Sequence, residues 1–200
     1  MRSRGRHERG AVLVEMVLIT PLLLGLVMAV FDLGMGWKTS MTVSSASRAG
    51  ARIASNLGKD DGADQNTLAS IAAAMGSVPA ADFDTVVIYR STAAGGDPPA
   101  GCLTAVAKSV GGDAGLQCNV YSGSEAATAA SSGAFTGDCS ARRDRFWCPP
   151  NRANSQSILA GPDYVGVYIA VRHSTFTKLF GSTIDIDDHA VMRIEPNAGN

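Results

Sequence analysis

Asp185, Asp187, Asp188 and His189 put three carboxylates and an imidazole within five residues of each other. Such a group can bind a divalent cation or pass protons as acid and base. Asp185, Asp187 and His189, however, alternate in step with Arg193 and Glu195, as the solvated face of a β-strand does. Asp188 falls on the opposite, apolar side and is expected to mark a bulge or a strand end. His173 has no obvious carboxylate or nucleophile partner in sequence. The chain contains no Gly-x-Ser-x-Gly, no phosphate-binding glycine loop and no His-Glu-x-x-His. The expectation is no catalytic residue, no metal, no cofactor and no small-molecule substrate: a protein that is not an enzyme.

A different carboxylate stands out by its surroundings. Glu15 lies in an apolar run of 20 residues, 12–31, broken only by Glu15, Thr20 and Pro21. As a helix that run is about 30 Å long, the thickness of a bilayer's hydrocarbon core. A carboxylate at mid-bilayer costs about 2.5–3.5 kcal/mol, though one near the end can snorkel to the headgroups. Cleavage after Gly10 would make Ala11 the first residue and Glu15 the fifth. The new amino group and the carboxylate would then be one helical turn apart, where charges meet.

Arg2, Arg4, Arg6 and Arg9 precede the run, opposed only by Glu8, and Asp32, Gly34, Trp37 and Lys38 are expected to mark its exit into water. Cationic flanks stay cytoplasmic, which puts the C-terminal part outside, with Trp37 at the outer interface. A cleaved secretory signal fits poorly. Its apolar region is about 7–15 residues with a small-x-small site just behind, whereas Ala49-Gly50-Ala51 lies far downstream. A permanent single-pass anchor and a prepilin-type segment both remain open.

Basic leader, Gly10, Glu15, Pro21 and Phe31-Asp32-x-Gly34 together resemble the TadE/TadG-like family, the pilin-like and pseudopilin proteins of the tight-adherence (Flp, type IVc) pilus. The Ala/Arg-rich stretch 45–52 fits as well, so the resemblance covers residues 10–52. It departs at Ala11, where the family places a large apolar residue after the cut. The resemblance implies a minor pilin or pseudopilin at the bacterial cytoplasmic (inner) membrane. It implies a processing site at Gly10 and Ala11 and a charge pair between Ala11 and Glu15. Pro21, Asp32 and Gly34 become a membrane-helix motif. The implied partners are membrane lipid, a prepilin peptidase, other pilin-like subunits and the inner-membrane assembly platform. The alternative is an uncleaved single-pass protein whose external domain binds a partner.

The remaining elements follow from pattern. Net charge is −1, so nothing argues for nucleic acid. The expected divisions are a basic leader 1–10, a transmembrane helix 11–37, a helical stalk 38–58 and an extracytoplasmic α+β domain 59–200. Small residues at Ala46, Ala49 and Gly50 would let a backbone approach, the chain's own sheet being favoured over a second helix. A second helix is expected over 66–75, capped by Asp64 or Asn66, and strands over 83–90, 164–172 and 183–194. Phe176, Leu179 and Phe180 form an apolar turn between the last two strands. Residues 92–161 read as a disulfide-bearing loop insertion, with a short helix near 124–131. Cys102, Cys118, Cys139 and Cys148 allow three pairings; the local one, Cys102 with Cys118 and Cys139 with Cys148, is expected. The mixed cationic and aromatic stretch 142–147 reads as a solvated loop with Trp147 over the adjacent disulfide. The fold class is α+β: a long N-terminal transmembrane helix extending into a small antiparallel sheet.

Overall fold

The computed structural model describes residues 5–79, 81–129, 133–154, 161–178 and 181–196, with side chains from residue 12 onward. Arg2, Arg4, Leu179 and Phe180, named above, lie outside the described residues. One helix, α1 (Gly5–Leu57), runs 53 residues without a break, about 80 Å. Pro21 sits inside it and removes one backbone donor without ending it. After a turn comes α2 (Ala63–Ala74), then β1 (Phe83–Ser91), α3 (Ala105–Val110), β2 (Gly112–Asp113), β3 (Cys118–Ser122), α4 (Gly123–Thr128), β4 (Tyr164–Ser174) and β5 (Thr183–Arg193).

The five strands form one antiparallel sheet in the order β2-β3-β1-β4-β5. The C-terminal half of α1 and α2 cover one face. Val165, Val167, Ile169 and Val171 of β4 turn inward with Val86 and Ile88 of β1, meeting Val43, Ala46, Leu68 and Ile71 from the helices. Alternation along β4 is what delivers this face, every second residue being apolar and buried. Gly50 packs tightly against both α2 and the sheet. A Cβ there would lie 2.7 Å from Ile71 and 3.3 Å from Val167. Ala46 and Gly50 thus pack against the chain's own core. On the opposite face Val87, Tyr89, Ala107 and Val120 close around Cys102 and Cys118. The Tyr89 ring fills the space above Gly166 of the neighbouring strand, and its hydroxyl donates to the Gly96 carbonyl at 2.8 Å.

Three expectations about the helices and strands need correction. The insertion is not merely a loop: Cys118–Ser122 pairs with β1 from Cys118 opposite Tyr89 to Ser122 opposite Thr85. Its alternation is hidden because Asn119 takes an inward position, where it is fully buried but hydrogen-bonded. Second, α2 begins three residues early, at Ala63, behind Gly62 in the left-handed region (φ 77°), with no side-chain cap. Asp64 is inside the helix and buried, so it caps nothing. Third, Asp188 marks neither a bulge nor a strand end. It pairs in regular register with Ile169 and accepts from Ser47 Oγ of α1 at 3.4 Å. The irregularity in the sheet lies at Phe83–Thr85 instead.

Two disulfides hold the insertion, Cys102–Cys118 and Cys139–Cys148. The 142–147 stretch is not a solvated loop, for Arg142, Asp144 and Trp147 are all buried. Arg142 clasps Asp144 through two bonds of 2.8 Å and reaches Asp61 just before α2 at 2.5 Å. Trp147 lies beneath the guanidinium of Arg152, 4.2 Å from its ring centre. Charged groups sink here because each finds a partner of opposite sign within hydrogen-bonding reach.

Candidate functional site: the bare helix and its Asp32 junction

Residues 12–31 of α1 touch almost nothing. Fourteen large apolar side chains, from Val12 to Phe31, are exposed. Soluble monomers rarely expose contiguous apolar patches beyond a few hundred Å², so this surface calls for lipid or other apolar helices. Among the described residues this is the one helix long and apolar enough to cross a membrane. Glu15 is exposed within it. The backbone of Gly10 and Ala11 continues the same helix.

At Asp32 the environment changes abruptly. From there Asp32, Gly36, Thr39, Val43, Ala46, Ser47, Gly50, Ala54 and Ser55 recur at helical spacing and are all buried. Asp32, expected to mark an exit into water, is only 3% exposed. Its carboxylate accepts from the backbone amides of Phe176 and Thr177, both at 3.0 Å, and from the Thr177 hydroxyl. These groups belong to the turn between β4 and β5. Two adjacent amides and a hydroxyl compensate the buried charge, which explains why a carboxylate is tolerated there. Gly34, two residues on, is exposed, and nothing lies within 4 Å of where its Cβ would be. No contact explains its type.

From this junction α1 and β5 travel together. Gly36 lies beside Ile184, Ser47 meets Asp188, Ser55 donates to the Arg193 carbonyl at 2.5 Å, and Gly58 lies against Ile194. Twenty-two helical residues rise about 33 Å, and ten strand residues rise about the same, so the registers stay matched. The β4–β5 turn is therefore the end of the domain nearest the bare helix, and Gly58 marks the far end. Trp37 stands 72% exposed one turn past the junction, with its indole N–H 3.1 Å from Met41 Sδ.

The pattern of bare apolar helix, junction carboxylate and small-residue packing face is what a family comparison can test. Residues 10–52 match the model of the TadE-like protein family. The TadE-like segment thus begins at Gly10, contains Glu15, Pro21, Asp32 and Gly34, and ends within the buried stripe of α1. No curated protein and no solved structure matches the chain.

Asp188 does not converge with the other C-terminal carboxylates. Asp185, Asp187 and His189 lie on the sheet face away from α1, while Asp188 faces α1. Arg172 lies 3.5 Å from Asp185 and 3.8 Å from Asp84, and Lys108 holds Asp84 at 2.8 Å. Lys108, against burial, keeps the Asp84 carboxyl below its ordinary range. His189 stands 3.6 Å from Asp97.

Sequence reasoning missed a buried polar knot at the start of α2. Asp64 accepts from Arg152 at 2.6 Å and from Asn119 and Tyr121, both at 2.9 Å. Burial and the Asp64 charge push the Tyr121 hydroxyl well above its usual range, so it remains a donor. The four residues come from α2, β3 and the segment after the second disulfide. Their spacing gave no signal, since 88 positions separate Asp64 from Arg152.

Proposed function

We propose that this chain is a TadE-like minor pilin or pseudopilin taking part in assembly of a tight-adherence (Flp, type IVc) pilus. One observation carries the reading: the TadE-like match falls on a helix whose first half is bare and whose second half is built into a folded domain. Such a chain anchors its domain through one span and offers the same span to neighbouring subunits. Arg6 and Arg9, with the arginines before them, hold the N-terminus in the cytoplasm and place the domain outside.

In this reading a prepilin peptidase cuts between Gly10 and Ala11. The freed amine of Ala11 pairs with the Glu15 carboxylate, its own or a neighbour's, so that neither charge lies unpaired among apolar helices. Apolar helices without a hydrophobic drive between them associate through packing and such polar contacts. The role needs no chemistry from the external domain.

Intact mass and N-terminal sequencing of the protein from native membranes test it. A chain starting at Ala11 supports prepilin-type processing. A chain starting at Met1 leaves a permanent anchor whose external domain binds a partner. A start beyond about residue 45 would mean release by signal peptidase and end the pilin reading. Glu15→Ala should insert normally and lose assembly into filaments; normal assembly would rule out the charge pair.

A further inference from the structure

We infer that residues 175–178, at the start of the β4–β5 turn, are a second membrane contact, seated in the outer headgroup and acyl boundary with Phe176 as the apolar anchor. The inference rests on the reading of residues 12–31 as a membrane span. Asp32 follows that span directly and binds the amides of Phe176 and Thr177, which fixes the turn at the level where the helix leaves the apolar layer. Phe176 is 75% exposed, the most exposed large apolar side chain outside α1 among the described residues. In water such exposure contributes nothing, whereas seating the ring in an apolar layer takes that surface out of water.

Met28, one turn below Asp32 on the same helix face, is the one large apolar side chain of residues 12–31 that is not exposed, and Ala29 beside it is half-buried too. The face that carries the turn is thus covered below the junction, toward the bilayer. Lys178 is exposed in the same turn, in the left-handed region (φ 57°), and suits anionic headgroups. Trp37, exposed just above, belongs to the same interfacial level. Two anchors on one rigid body fix the tilt of the domain over the membrane, where a single helix would let it swing.

The test is photocrosslinking of the full chain in phosphatidylethanolamine and phosphatidylglycerol vesicles. Phe176→p-benzoylphenylalanine places a reactive group of similar shape at the turn. Leu24→p-benzoylphenylalanine reports the span, and Leu116→p-benzoylphenylalanine reports the far end, next to Cys118 opposite Tyr89. The expected result is lipid adduct at positions 24 and 176, at least tenfold above position 116. Adduct at 24 with position 176 no higher than 116 overturns the inference and leaves the span intact. Crosslinking of position 176 to a second copy in place of lipid also overturns it, making the turn a subunit contact. Absence of adduct at 24 removes the span and the inference with it.

Discussion

Asp32 carries a charge into a place where little of it meets water, and the donors that make this possible lie 144 and 145 positions away. The sequence makes the residue visible as part of an Asp-x-Gly motif, but a backbone amide leaves no trace in side-chain identity, so its partners were illegible. Asp32→Ala should leave α1 helical and free the turn. Hydrogen exchange at the Phe176 and Thr177 amides should rise by on the order of tenfold, because charge-assisted bonds to those groups are lost. Unchanged exchange would mean the turn is held by its own bonds, such as Thr175 to Gly181. Asp64 is the stronger case energetically. Asp64→Ala leaves Arg152 buried without its counter-charge, and breaking a buried pair this way costs about 3–5 kcal/mol. Urea denaturation should show a lower midpoint, and a loss under about 1 kcal/mol would show that Arg152 finds water when released.

Elements were legible where periodicity was clean. Alternation in β4 and β5 and the β-branched run of β1 gave those strands nearly to the residue, whereas β3 was lost behind its buried Asn119. The small residues of α1 signalled close approach, and the sheet face they meet could be weighed from amphipathicity alone. Gly50→Val should therefore be destabilising by about 1–3 kcal/mol, the overpacking cost exceeding the helix propensity gained over glycine. Thermal melting checks this, and a variant as stable as the parent would mean that Ile71 simply rotates away. At α4, Ser122 and Glu125 make a reciprocal cap that Arg143 reinforces with bonds of 2.6 and 3.0 Å. Burial raises the Glu125 carboxyl, but Arg143 and the Ser122 groups outweigh it and hold it at about 2, against 4.5 ordinarily. The folded state thus binds this proton more weakly than the unfolded chain does. The stabilisation is complete above about pH 4.5 and disappears as pH falls toward about 2. Glu125→Gln should flatten the stability curve across that window in melts taken from pH 2 to 6, by a modest amount because the carboxylate is partly solvated. Identical slopes for the two proteins would remove Glu125 from the acid response.

At the scale of the molecule, one helix serves two solvents. Its first half needs an apolar medium, and its second half needs the sheet, so the domain cannot be detached at residue 58 without losing a wall of its core. The sequence showed the first requirement through composition. It understated the second, since the core of this domain leans on Ala46, Gly50, Ala51 and Ala54, which carry little apolar area of their own. A core built from small residues buries little surface per contact, and covalent staples matter more in consequence. Cys102–Cys118 and Cys139–Cys148 close loops of 16 and 9 residues. Restricting the unfolded chain over such loops contributes about 3 and about 2.5 kcal/mol on the chain-entropy account. Domains of this size have a net stability of about 5–15 kcal/mol, so removing both takes a large share of it. Each Cys-to-Ser pair in the full chain, held in detergent, should lower the melting temperature by several degrees, and the Cys102–Cys118 pair by more. The second bridge adds a distinct consequence. It closes the segment that carries Arg142, Asp144 and Trp147, so its loss should also expose the Trp147 indole and shift its emission to longer wavelength. A red shift on removing Cys102–Cys118 alone, with none on removing Cys139–Cys148, would show that the first bridge, not the second, keeps Trp147 buried.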